Sequence, residues 1–126
     1  VLNELRDSIT SDLTTAGIKA LGYIGEVITP PCALVVPSEP YLKRPDATER
    51  IPFRKVKANV DVLLLVPREG GEKAAAALID DLIEDAYRAL NQNHDIKAAS
   101  RPGVVTVSGS KYVGSVLSIE ALAEEP

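Results

Sequence analysis

Tryptophan is absent, and Phe53 with four tyrosines makes up the whole aromatic complement, 4% of the chain. A platform for stacking bases needs exposed rings beside basic residues, so this poverty argues against one. An excess of positive charge is missing too. The formal net charge is −4 and the pI is near 5.0, which argues against a general nucleic-acid binder. Cysteine occurs once, as Cys32, which excludes an internal disulfide and a multi-cysteine zinc site. That usage is compatible with a reducing cytoplasm. No apolar run approaches the roughly 18 residues of a membrane-spanning helix, and no signal-peptide pattern opens the chain. Numbering starts at Val1, which reads as an initiator methionine removed or left uncounted.

The remaining composition is that of one ordinary globular domain over residues 1–126: 45% hydrophobic, 25% charged, with no internal repeats. Its organising stretch is Arg54 to Pro67, RKVKANVDVLLLVP. Lys55, Lys57, Asn59 and Asp61 alternate with Val56, Ala58, Val60 and Val62, the period of a half-buried strand. From Val62 the alternation stops, and Leu63, Leu64, Leu65 and Val66 are all apolar. The strand therefore starts at solvent and becomes covered on both faces, until Pro67 ends the ladder.

Upstream, Leu2, Leu5, Ile9, Leu13 and Ala16 recur every three or four residues and predict an amphipathic helix. Gly17 stands where a left-handed cap stops it. A short extended piece is expected around Tyr23 and Ile24. Cys32 to Val36 reads as a buried strand closed by Pro37. Pro37 to Pro52, with four prolines, mixed charge and no period, reads as part of a long loop, 37–53. Downstream, Glu72 opens a second helix with an acid at its favourable end. Its apolar stripe, Ala75, Leu78, Ile79, Leu82, Ile83, Ala86 and Leu90, spans roughly 140° of arc at 100° per residue. Asn91 to Pro102 reads as a polar connection. Gly103–Val107, the turn Ser108-Gly109-Ser110 and the alternating Lys111–Leu122 read as a hairpin. The expected fold is α+β: a mainly antiparallel four-stranded sheet with both helices on one face. The other face, partly apolar, then asks for a partner.

Candidate chemistry is sparse. Asp80, Asp81, Glu84 and Asp85 form an acidic cluster on the second helix, a spacing able to hold magnesium through oxygen ligands. The plainer reading is a solvated helix face. Asp80/Glu84 and Asp81/Asp85 are like-charge pairs four residues apart, and Glu84/Arg88 is the favourable one, so an unbalanced acidic face is open to a basic neighbour. Lys43, Arg44, Arg50, Arg54, Lys55 and Lys57 supply six of the fourteen basic residues, in the long loop and the strand it enters. They read either as a docking surface for an acidic partner or DNA phosphate, or as a solvated loop balanced by Glu39, Asp46 and Glu49. His94 reads as a surface-loop histidine, and Cys32 as a small core residue. Gly70-Gly71 lacks the lysine and Ser/Thr of a phosphate loop. Ser108-Gly109-Ser110 precedes a strand, so it is no nucleophile elbow.

The order of these elements is similar to that of a known group. An N-terminal amphipathic helix leads to Pro30-Pro31-Cys32-Ala33-Leu34-Val35-Val36-Pro37, then Pro40-Tyr41 and a charged loop. The strand Lys55 to Val66, a Gly-led helix with paired acids and a closing hairpin follow. Over nearly the whole chain this resembles the tail terminator and minor tail (tail-completion) proteins of long-tailed bacteriophages, especially those of actinobacterial hosts. The resemblance implies a structural, non-enzymatic subunit with no cofactor and no catalytic residue. It further implies a homo-oligomeric ring, a hexamer in that family, that caps the tail tube protein and joins a head–tail connector or neck protein. Genome DNA would pass through such a ring without specific binding. The implied location is the virion tail–neck junction, reached from the host cytoplasm during assembly, with no membrane role. A neighbouring neck-completion protein is the related alternative, and a small magnesium-dependent enzyme using Asp80–Asp85 is the alternative of another class. On the assembly reading, Asp80, Asp81 and Glu84 are expected to meet Arg54, Lys55 or Lys57 of the next subunit. The apolar sheet face is expected to supply most of the contact.

Overall fold

A computed structural model describes residues 2–22, 29–44, 54–68 and 71–124. The elements are α1 (Leu2–Thr15), β1 (Ala20–Leu21), β2 (Cys32–Lys43), β3 (Lys55–Val66), α2 (Glu72–Leu90), β4 (Asp95–Ala99), β5 (Gly103–Val107) and β6 (Ser110–Glu124). The extended piece expected at Tyr23–Ile24, and Arg50 with most of the anticipated loop, lie outside the described residues.

The fold is α+β, as expected, but the sheet has six strands in the order β1-β2-β3-β6-β4, with β5 also on β6. Among the described residues, only the two-residue β1 is parallel to its neighbour; the other pairings are antiparallel. β3 is central, pairing along its whole length with β6 from Lys55 opposite Glu124 to Val66 opposite Val113. Its burial alternates from Lys55 to Leu63 and then becomes continuous through Leu64, Leu65 and Val66, as its sequence dictates.

Three departures from the sequence expectation have physical causes. β2 does not stop at Pro37 but runs on to Lys43. The Ala33 amide points outward, to the Lys19 carbonyl just before β1, so alternation puts Pro37's missing N–H on the same outer side, where no ladder bond is lost. β4 lies inside what reads as a polar connection. Ile96 alone packs on the core, and the other four residues are exposed, so no period exists to be read. Leu78 ends up exposed because it sits at the margin of the apolar arc of α2.

Both helices cover one face. Ile9 and Leu13 of α1 and Ile79, Leu82, Ala86 and Leu90 of α2 pack on Ala33, Val35, Val60, Val62, Leu64, Val66, Leu117 and Ile119. Helix α1 closes on Gly17 (φ 87°), with the Ile18 amide donating to the Leu13 carbonyl and the Gly17 amide to Thr14. That pair of bonds is a Schellman ending.

A second core lies on the opposite face: Leu21, Cys32, Leu34 and Leu65, with Val36, Leu63, Val105, Val107 and Tyr112 against them. The β5–β6 hairpin thus covers the apolar end of the sheet from within the chain. Ser108 (φ 51°) and Gly109 (φ 81°) make its two-residue turn, the left-handed pair that matches strand twist. Gly114 permits the close approach. A Cβ there would stand 2.9 Å from Val105 Cγ2, 3.0 Å from the Leu64 carbonyl oxygen and 3.1 Å from Leu65 Cδ2. The apolar face expected to await a partner is therefore already occupied by the chain itself.

Candidate functional site

The other half of that face is charged. Directly opposed residues of paired strands share a face, so Lys55, Lys57, Asn59 and Asp61 stand beside Glu124, Leu122, Glu120 and Ser118. Lys55 bonds Glu124, and Lys57 reaches Glu120 at 3.9 Å. Lys97 of β4 bonds Asp95 at 2.7 Å and also approaches Glu120 at 3.9 Å. Among the described residues, Lys43, Lys55, Lys57 and Lys97 are thus set among Asp61, Asp95, Glu120 and Glu124. The strand that reads as a basic surface is a charge lattice instead, because β6 lays a carboxylate opposite or diagonal to each β3 lysine. The Lys57 side chain is only 15% exposed.

β2 closes one side of this lattice. Ser38, Glu39, Pro40 and Lys43 face Lys57, Asn59 and Asp61 across a cleft of about 300 Å³, and the Asn59 amide donates to the Pro40 carbonyl at 3.1 Å. Arg44, at the end of β2, and Arg54, just before β3 with φ 66°, are exposed and each has partners within the chain.

The acidic cluster lies on the other side of the molecule. Asp80, Asp81, Glu84 and Asp85 are exposed on α2. Arg88 bonds Asp85 at 2.6 Å, three residues away, rather than Glu84. Asp80 borders an apolar cleft of about 260 Å³ formed with Ala76, Ile79, Pro102, Gly103, Val104 and Val113. Among the described residues, no three His, Cys, Asp or Glu side chains converge as metal ligands. Among the described residues, the fold holds Asp80, Asp81, Glu84 and Asp85 on the helix side of the sheet and Lys43, Lys55 and Lys57 on its other face, and does not bring the two sets together.

His94 is the residue that sequence reasoning misplaced. Its side chain is 6% exposed, and Nε2 lies 2.8 Å from Asp12 Oδ2. The Asn93 amide donates to the same oxygen at 3.3 Å. This ties α1 to the turn after α2. The partners are 82 residues apart, so no local pattern announces the pair. His94 also borders a cleft of about 470 Å³, with Leu5, Asn93, Asp95, Glu120, Ala121 and Leu122. Among the described residues, no hydroxyl or thiol lines that cleft.

Cys32 is fully buried. Burial pushes its thiol above the ordinary value near 9.0, while the Lys19 ammonium acts the other way. It stays protonated at neutral pH, the state of a core residue rather than a nucleophile. No protein-family profile matches the chain, and no curated protein matches it.

Proposed function

We propose that the chain is a structural ring subunit of a phage tail–neck junction, a tail terminator that caps the tail tube and receives the neck. One observation supports this over other roles: its two charged surfaces lie on opposite sides of a single sheet. A surface that meets a different surface on an identical neighbour makes a head-to-tail contact, the kind that closes into rings. A hexamer, a tube protein on one side and a connector on the other follow from the resemblance of nearly the whole chain to that family. Because Glu120 and Glu124 already engage Lys57 and Lys55, an arriving acidic helix competes poorly for those lysines. Arg44, just after β2, offers a further counterpart for Asp80, Asp81 and Glu84. Such charge pairs set register and partner choice more than affinity.

Light scattering on a sizing column across a wide concentration range, with negative-stain images of each peak, tests this reading. Closed rings of one subunit number support it. A strict monomer at every concentration overturns self-assembly by the free chain. Asp81→Lys is expected to weaken ring formation, and rings that are indifferent to it would remove α2 from the contact.

A further inference from the structure

The two outer edges of the sheet are guarded differently. Along β2, Pro37 removes an outward amide and Pro40 a second donor, and the register with β3 is irregular between Pro37 and Leu42. Those are devices that discourage another strand from pairing. Along β5, the sequence Gly-Val-Val-Thr-Val contains no proline and no charge, and among the described residues nothing pairs with its outer side. Val107 and Ser110 close the two-residue turn and so exchange hydrogen bonds. Alternation then turns the amides and carbonyls of Val104 and Thr106 outward. Val104, opposite Val113 on the helix side, is 61% exposed. The apolar cleft bordered by Asp80 lies directly beside it.

An unguarded edge next to an apolar cleft is the arrangement for strand addition, where main-chain bonds give affinity and a cleft for alternate side chains gives selectivity. The acid at the rim and the exposed acids of α2 select an extended segment that is apolar and basic. The chain carries one at the opposite end of its own sheet: Tyr41-Leu42-Lys43-Arg44, beyond the last guarding proline. Leu42, opposite Ala58, is on the helix side and 37% exposed.

We propose that the edge of β5 receives the Tyr41–Lys43 end of β2, with Arg44 after it, from a second copy of the chain. Leu42 lies beside Val104 over the cleft, and Arg44 alternates toward Asp80. The sheet continues from one copy to the next with its helix side on the same side throughout, which is a head-to-tail contact. This rests on the self-assembly reading above and names the contact that performs it.

The test uses the full chain. Thr106→Pro deletes one outward amide and leaves the bonds to β6 in place, so assembly is expected to weaken about tenfold or more with an unchanged thermal midpoint. Val104→Lys puts a charge on the edge and is expected to do the same. Independently of both, Leu42→Cys with Val104→Cys in a Cys32→Ala background is expected to give a ladder of disulfide-linked multimers on oxidation. Multimers that ignore both edge variants, or that fail to cross-link, overturn this contact while leaving ring assembly standing. A wild-type chain that stays monomeric throughout overturns both.

Discussion

The two ends of the open sheet face are built from the same three strands and reach opposite solutions. At one end Leu63 and Leu65 meet Cys32 and Leu34, and the β5–β6 hairpin seals them from water. At the other, Lys55 meets Glu124 at the surface and Lys57 approaches Glu120 with both side chains largely covered. The dry end draws its stability from burial, at about 25 cal/mol per Å² of apolar surface. The wet end gains little from its exposed Lys55–Glu124 pair, because such pairs are worth about 0–1 kcal/mol each. One face thus carries a fixed half that holds the fold and a replaceable half that leaves it unchanged.

The sharpest way to break the contrast is Gly114→Val. The nearest atoms include a backbone carbonyl that cannot swing away, so the hairpin must lift. A loss of about 3 kcal/mol or more is expected, seen as a large drop in denaturant midpoint. Leu65→Ala, fully buried under the hairpin, is expected to cost about 2–5 kcal/mol. His94→Ala, which releases Asp12 near the wet end, is expected to cost about 1–3 kcal/mol, with amide exchange rising in α1 before the sheet.

Cys32 offers a pH test of the dry end. The folded state holds its thiol proton above the ordinary value, so the unfolded chain loses that proton first as pH rises. The associated stability is complete below about pH 9 and is lost as pH climbs through the raised folded value. Cys32→Ala is expected to flatten that decline in denaturant midpoint. The smallest effect belongs to the wet end. Lys55→Gln is expected to move stability by less than about 1 kcal/mol. A larger change would make the charge lattice part of the fold's foundation and dissolve the distinction.

Much of the centre was legible because single strands and helices carried their own periods. β3 announced its half-buried start and two-sided end, α2 its stripe, and the hairpin its turn residues. The edges were not legible. β4 buries only Ile96, and β2 continues past prolines that a central strand would forbid. The covering of Leu65 depends on Gly114 letting two segments approach, a fact of three-dimensional contact with no local signature. The same holds for His94, whose burial depends on Asp12 arriving from the other end of the chain. Of the candidate surfaces, the acids of α2 were correctly read as exposed. The basic strand was misjudged because its neutralising carboxylates sit on a strand distant in sequence.

The pairing of β3 with β6 also sets an order of events. Lys55 and Glu124 are 69 residues apart, so the central ladder closes only after a long intervening chain has been drawn in, and loop closure of that kind slows folding. The β5–β6 hairpin, with its two-residue turn, forms on its own on a timescale of about 1–10 μs and can wait as a preformed unit. During synthesis, β3 leaves the ribosome with one side of its ladder vacant and stays so until β6 follows. A nascent chain halted at the hairpin turn holds its most apolar strand paired on one side only, and there a chaperone has the most to do.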